Sequence, residues 1–364
     1  MNDVSEPVSC VSHIKVGVVG ATGYTGIELL KWLFSHPNVE VAVVTARQWV
    51  GQKIADALPV LRACLPSSQK SLSFVTPDDP KLKQVDVVFF ATPHGVAMNR
   101  VPELLEAGVK VVDLSADFRL KAPEIWQAWY QSPHSAVDVL DQAVYGLAEW
   151  FAEDIASAQL VANPGCYPTS IQLALWPLIQ QGLIELSPIV VDAKSGVSGA
   201  GRQANVDLLA AEVTGNFKAY GVAGHRHQPE IVQGLQGCAD KESDVRLTFV
   251  PHLLPMARGI ESSIYVRLKA GVDVAQAHSV LDTAYLDASF VSVLPLGKVP
   301  QVKWVAGTNH CQIGLAQPKG GDMLIISSVI DNLVKGAAGQ AIQNMNLMMG
   351  WPETLGLSVQ PSWP

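Results

Sequence analysis

Short apolar runs alternate with longer amphipathic ones along the first half of the chain, and the alternation predicts a fold. Ile14-Lys15-Val16-Gly17-Val18-Val19 reads as a strand, Gly20 to Gly26 as a turn, and Ile27 to Phe34 as a helix that stops before Pro37. Further strands are predicted at Val39 to Val44, Val85 to Phe90 and Val109 to Leu114, with a helix-like stretch from Val96 to Ala107. Leu160 to Ala162 is a short strand that runs into a Pro-Gly turn. The apolar segment after it, Ser170 to Gln181, has the spacing of a buried helix. Strand and helix in this order imply an α/β, Rossmann-type doubly wound domain: a parallel sheet, helices on both faces and right-handed crossovers. Ile189 to Ala193 is one more strand. Residues 46–70 lack periodicity and read as an excursion beside the ligand edge of the sheet. The aromatics between Ala122 and Ala158 read as packing residues.

Composition narrows the partners. A chain of 364 residues with 48% hydrophobic and 16% charged residues can bury two cores, so two domains are expected. A net charge of −8 without a basic stripe argues against nucleic acid. No apolar run approaches the roughly 18 residues of a membrane span, and Met1 to His13 lacks the order of a signal peptide, so a cytoplasmic protein is expected. Cys10, Cys64, Cys166, Cys238 and Cys311 are odd in number and scattered, without a C-x-x-C pair. They are expected to be reduced, with at most one of them special.

Cys166 is that one. Its place at or just before a helix N-terminus exposes it to free backbone N–H groups and the helix dipole, which favour thiolate over thiol; elsewhere a lone cysteine is usually a small buried hydrophobe. The earlier turn, Gly20-Ala21-Thr22-Gly23-Tyr24-Thr25-Gly26, stands between strand and helix, the context of a dinucleotide fingerprint in which a pyrophosphate sits on the helix N-terminus. Its spacing is G-x-x-G-x-x-G. The second strand ends in Thr45-Ala46-Arg47, where NAD-binding folds commonly place a carboxylate, and an arginine there suits the 2′-phosphate of NADP. Thr92-Pro93-His94-Gly95 and Ser115 to Arg119 follow strands whose carboxyl ends gather ligands. Thr92 and Pro93 are assigned to the cofactor, and Arg119 to an anionic group on the substrate. Lys194 to Arg202 is dense in small residues and reads as an open loop with N–H groups for a ligand. In Gly224-His225-Arg226-His227 a histidine can exchange a proton with a thiol. A metal site is not expected, because no further ligand cluster accompanies the pair.

Together, the glycine turn, Leu114 to Arg119, Asn163-Pro164-Gly165-Cys166-Tyr167-Pro168-Thr169, Ser195 to Arg202, His225-Arg226-His227-Gln228-Pro229-Glu230-Ile231, Pro251 to Gly259 and Asp331 to Ala341 closely resemble the N-acetyl-gamma-glutamyl-phosphate reductases of arginine biosynthesis. The resemblance runs from about Lys15 to Gly350, and Ser170 is a departure, standing where the family more often has Gly or Ala. It implies an NADP-binding domain over residues 1–164, completed by a C-terminal helix, Asn332 to Met349, within residues 328–364. It implies an α+β substrate and oligomerisation domain over 165–327, with strands at Val245 to Val250 and Ser262 to Leu268.

The resemblance also implies roles. Cys166 is the nucleophile on an acyl phosphate, with His225, favoured over His227, as acid/base. The reaction passes through a thioester that NADPH reduces to the aldehyde. Arg119, Ser195, Arg202 and His227 are assigned to the substrate. Gly20, Thr22, Gly23, Tyr24, Thr25, Gly26, Thr45, Arg47, Thr92, Pro93, Ser198, Gly199 and Asn332 are assigned to the cofactor. A homodimer or homotetramer is implied. Competing readings are aspartate-semialdehyde dehydrogenase or an aminoadipate-type reductase of the same architecture, and a nucleotide-sensing Rossmann protein without turnover.

Overall fold

The computed structural model describes residues 13–319 and 321–361, so the polar residues 1–12 and Cys10 lie outside it. Six strands form one sheet: β1 (Ile14–Val19), β2 (Val39–Val44), β3 (Val87–Phe90), β4 (Lys110–Asp113), β5 (Ala143–Tyr145) and β6 (Leu160–Ala162). Their order is β2-β1-β3-β4-β6-β5 and every neighbouring pair is parallel. The chain leaves β1 toward β2 on one side and later returns to β3 on the other. The crevice beyond the end of β1 is therefore a topological switch point, where such sheets bind ligands. The helices of this half are α1 (Tyr24–Phe34), the single turn α2 (Ile54–Ala57), α3 (Val101–Glu106), α4 (Pro123–Tyr130) and α5 (Ala148–Ser157). Strands covered on both faces need apolar residues at nearly every position, and β3 and β6 are buried throughout.

Seven strands form the second sheet: β7 (Ile189–Gly196), β8 (Lys218–Ala219), β9 (Leu247–Leu254), β10 (Ile260–Arg267), β11 (Val291–Val293), β12 (Cys311–Ala316) and β13 (Met323–Ile330). Their order is β11-β12-β13-β10-β7-β9-β8, mixed in direction. Here burial alternates, as in β7 and β10, because helices cover one face only. The covering helices are α6 (Cys166–Gln180) and, after the single turn α7 (Ala210–Val213), α8 (Gln228–Cys238) and α9 (Val274–Ala284). An apolar core joins α6 to α8, α9 and every strand of this sheet except the two-residue β8.

The buried helix α6 carries the thiol at its first position. It is apolar on all sides and buried from Tyr167 to Ile179, as befits a helix inside a core. Pro177 removes the N–H that would bond the Leu173 carbonyl, and the Tyr285 hydroxyl donates to that carbonyl at 2.6 Å instead. Ser170, the departure from the family pattern, ties the helix to the sheet through Ser262 Oγ at 3.0 Å and Ser328 Oγ at 3.1 Å. The hydroxyl satisfies polar groups that would otherwise be buried unpaired.

Several boundaries differ from the sequence reading. The helix expected over Val96 to Ala107 is a 3-10 turn, Ala97–Asn99, followed by α3, because Pro102 cannot donate within a continuous helix. β7 runs on through Lys194, Ser195 and Gly196, paired with β9 and β10, so the expected open loop begins only at Val197. The expected C-terminal helix, Asn332 to Met349, is a π turn, Val334–Ala338, followed by α10 (Gly339–Met348). This segment packs on α5 and α1 of the first half. Residues 46–70 contribute α2 and two 3-10 turns, and Ile54, Leu58 and Leu61 are buried in the core that holds α1.

Candidate active site

A cleft of about 1010 Å³ opens at the switch point of the parallel sheet and is closed on the far side by the second half. Among the described residues four arginines line it, Arg47, Arg119, Arg202 and Arg226, and no Asp or Glu does. In a chain with net charge −8 this concentrates positive potential in one place, as a polyanionic cofactor and an anionic substrate require.

At one end, the residues of the glycine turn face the cleft from Gly20 to Thr25 except Ala21. Gly26 does not line it; a Cβ there would lie 2.6 Å from Ala21 Cα, so this glycine lets α1 pack on the turn. Gly23 is the N-cap of α1 and no side chain caps the helix. The amide groups of the first turn are thus available to a phosphate. Thr45 and Thr92 also line the cleft, and their buried hydroxyls have no hydrogen-bond partner. Unsatisfied buried polar atoms facing a cleft fit a polar ligand such as a dinucleotide ribose. Arg47, Pro93, Ser198, Gly199 and Asn332 line the same cleft. Asn332 accepts from the Gly259 amide at 2.7 Å and donates to Ser198 Oγ at 2.9 Å, which fixes the loop after β7.

Two residues assigned to the substrate lie elsewhere. Arg202 donates to the Thr22 carbonyl at 2.9 Å and stacks over Trp49 with its Cζ 5.7 Å from the ring, so it lies against the glycine turn. Ser195 is only 1% exposed, bonds the Gly196 carbonyl and does not line the cleft, because the extra length of β7 takes it into the sheet.

At the other end the thiol is half-buried. Among the described cysteines Cys166 alone lines the cleft. A Cβ on Gly165 would come within 2.7 Å of His227 Nε2 and 2.9 Å of Arg119 Nη1, so both groups press on the turn that precedes the thiol. From the other side Gly336 of the π turn is so close that a Cβ on it would meet Cys166 Cβ at 2.6 Å. Arg119 Nε donates to the Asn163 carbonyl at 2.8 Å, Nη2 to the Leu114 carbonyl at 2.8 Å, and Nη1 pairs with Glu230 at 3.2 Å. A guanidinium has five N–H donors, so two remain for a substrate.

Glu230 was not singled out by the sequence reading. It is 2% exposed at the third position of α8, and its Oε1 accepts from the Gly165 amide and from the Tyr145 hydroxyl, both at 2.8 Å. The signal that could have found it is an acidic residue in the first turn after Pro229. The aromatic segment likewise does more than pack: Tyr145 orients Glu230, and Tyr130 lines the cleft.

Burial reverses the expected charge states. It pushes the Cys166 thiol up to about 11, against the pull of the Tyr167 amide and Arg119, so the resting group is a thiol. Burial, assisted by Arg226, lowers His225 to about 4, and His227 is held well below the usual imidazole range by burial and then by His225. Both rings are neutral near pH 7. The His225 and His227 rings lie 4.9 Å apart, each 5.9 Å from the Tyr167 ring, and His225 Nδ1 accepts from the His227 amide at 3.2 Å. Neutral imidazoles beside a protonated thiol can act as bases when a substrate arrives.

Comparison with known proteins agrees with this geometry. The semialdehyde dehydrogenase NAD binding domain family matches residues 15–158, and the semialdehyde dehydrogenase dimerisation domain family matches residues 166–332. Aspartate semialdehyde dehydrogenase II from Vibrio cholerae has the same fold, with TM-score 0.71 at 19% identity over 93% of this chain and 99% of that one. The Candida albicans aspartate semialdehyde dehydrogenase solved with NADP gives TM-score 0.66 at 18% identity, over 93% of this chain and 99% of that one. The N-acetyl-gamma-glutamyl-phosphate reductase of Nitrosospira multiformis is 50% identical over 96% of this chain and 100% of its own length. That of Marinobacter nauticus is 51% identical with the same coverage. That of Neisseria meningitidis serogroup A is 51% identical over 96% of this chain and 99% of its own. Among the described residues no helix is long and apolar enough to cross a membrane. With an arginine-lined cleft at the switch point of a parallel sheet and a thiol at the start of the helix beside it, the chain belongs to the N-acetyl-gamma-glutamyl-phosphate reductase family of semialdehyde dehydrogenases.

Proposed function

We propose that the chain reduces N-acetyl-gamma-glutamyl phosphate to N-acetylglutamate 5-semialdehyde and phosphate, in arginine biosynthesis, with Cys166 as nucleophile and NADPH as reductant. The observation that carries the reading is the thiol at the first position of α6, facing the cleft with Arg119 and His227 packed against the turn before it. A neutral histidine, His225 in our assignment, takes the thiol proton as Sγ attacks the acyl carbon. The C–O bond to phosphate breaks, and the spare N–H groups of Arg119 receive the leaving group. The amides of the first turn of α6 face the carbonyl oxygen and stabilise the negative charge that develops there. The bound nicotinamide supplies the hydride. The C–S bond then breaks, releasing aldehyde, and the histidinium returns its proton to sulfur.

The cofactor would lie on the glycine turn, with Thr45 and Thr92 at its riboses. The preference for NADP is supported by Arg47 and Arg202, which line the cleft with Trp49, Arg202 over its ring, without a carboxylate among the lining residues. Residues 1–164 with the C-terminal segment 328–364 would form the cofactor domain, and 165–327 the catalytic and oligomerisation domain of a homodimer or homotetramer. The decisive experiment is phosphate-dependent reduction of NADP with N-acetylglutamate semialdehyde, with aspartate semialdehyde as competitor. Preference for aspartate semialdehyde would overturn the substrate, and absence of turnover with either would overturn the enzymatic reading. For the cofactor, Arg47→Ala should lower the NADP/NAD ratio of kcat/KM by about ten- to a hundredfold. Equal losses for both cofactors would remove Arg47 from that role.

A further inference from the structure

Of the two arginines beside the thiol and histidines, one is neutralised and one is not. Arg119 is 8% exposed and carries the Glu230 carboxylate as its counter-ion. Arg226 is exposed and, among the described residues, makes no ion pair with a carboxylate. It is held instead by uncharged groups. Its Nη1 lies 3.1 Å from His94 Nδ1, its Cζ stands 5.6 Å from the Tyr130 ring, and the His94 and Tyr130 rings are 5.1 Å apart. Burial and the Arg226 charge both disfavour protonation of His94, so the imidazole accepts from the guanidinium. These contacts orient the cation without cancelling its charge.

Its position complements Arg119. Arg226 stands between His225 and His227 in sequence, but while their rings pack on Tyr167, its side chain packs on His94 and Tyr130. All three residues and Cys166 line the same cleft. The substrate proposed above has an anion at each end, a phosphate on the acyl carbon and an α-carboxylate four bonds away, roughly 5 Å along an extended chain. Arg119 is at the acyl end, pressed on the turn that carries the thiol.

We propose that Arg226 is the anchor for the substrate's α-carboxylate. In this arrangement His94 and Tyr130 present the guanidinium fork edge-on to the cleft, and the enzyme selects acyl phosphates and semialdehydes that carry a carboxylate at the far end. The inference rests on the proposed reaction, and it adds a specificity residue to it.

The test uses the reverse direction, in which phosphate and semialdehyde have separate KM values. Arg226→Gln should raise KM for N-acetylglutamate semialdehyde by about ten- to a hundredfold, the worth of one charge-assisted pair, with KM for phosphate nearly unchanged. Arg226→Lys should recover part of the loss. His94→Ala should raise the same KM by a smaller factor, by freeing the guanidinium. The parent enzyme should also prefer the carboxylate substrate to its α-carboxamide analogue, and Arg226→Gln should erase that preference. A rise in KM for phosphate instead would move Arg226 to the phosphate site and overturn the proposal. So would a fall in kcat with both KM values intact, which would mark a structural latch between His94 and the histidine loop. If the parent protein oxidises no semialdehyde, the proposed function fails and this inference with it. An active parent with an unaltered Arg226→Gln variant sinks the inference alone.

Discussion

Two helices start at the ligand edge of the parallel sheet with nearly the same local geometry. α1 follows β1 and α6 follows β6, and each begins after an extended glycine N-cap with no side-chain cap: Gly23 at φ −78°, ψ 167°, and Gly165 at φ −66°, ψ 156°. Their surroundings are opposite. A Cβ on Gly23 would meet nothing within 4 Å, whereas one on Gly165 would strike His227 and Arg119. The Gly165 amide already donates to Glu230. In the proposed reaction the open turn would leave its amides to a permanent anion on the cofactor. The closed turn is packed by His227, Arg119 and Gly336, and in the same proposal it would serve charge that exists only during reaction. The difference also explains the protonated thiol: the dipole that favours an anion at the start of α6 is outweighed by the burial that encloses it. A helix N-terminus does not by itself activate a cysteine.

The largest expected effect falls at the centre of the closed turn. Cys166→Ala should abolish turnover while leaving cofactor affinity within a few fold, because the thiol forms the covalent bond and the nucleotide contacts lie at the open turn. Mass spectrometry of the parent should find the acyl adduct on Cys166, and an adduct on Cys64 or Cys311 would remove the closed turn from the mechanism.

Next in size is the base. His225→Asn should lower kcat by roughly 10²- to 10⁴-fold; the same loss in His227→Asn with His225→Asn near normal would exchange their roles. With the thiol at about 11 and His225 at about 4, no group of this pair titrates near neutrality in the free enzyme. The rate of Cys166 alkylation by neutral iodoacetamide should therefore climb about tenfold per pH unit from pH 7 toward pH 10. A plateau near pH 7 would mean a preformed thiolate and would erase the contrast between the two turns.

The glycines themselves give the direct comparison. Gly165→Ala should cost about a hundredfold in kcat, since a Cβ must displace both His227 and Arg119. Gly23→Ala, into open space, should change kcat at saturating cofactor by less than about threefold. Similar losses at both positions would show that the turns are equivalent.

The smallest effect sharpens the picture. Glu230→Gln retains an acceptor for the Gly165 amide but removes the negative charge that raises the Cys166 thiol, so the alkylation profile should shift to lower pH. A shift to higher pH would show that Glu230 acts mainly by holding Arg119 in place.

The doubly wound sheet, the glycine turn and the location of Cys166 at a helix start could be read from the sequence. Each depends on neighbours in the chain: apolar period sets strand or helix, and glycine or proline sets where they turn. The same local signals placed Arg47, Thr92, Pro93 and the Ser198-Gly199 loop beside one cleft. Resemblance to a family, rather than periodicity, supplied the preference for His225 over His227 and the returning C-terminal segment. Only the tertiary structure decided what surrounds these groups. Ser195 lies in the sheet because its pairing with Ile260 and Leu253 is set by distant strands. Arg202 reaches Thr22 across 180 residues of sequence, and Glu230 reaches Gly165 across 65. The charge states of Cys166, His225 and His227 follow from burial, which is the sum of contacts made by the whole fold. Local sequence fixes backbone conformation; the dielectric surroundings and charge partners of a side chain are long-range properties, and they decided how this site is poised.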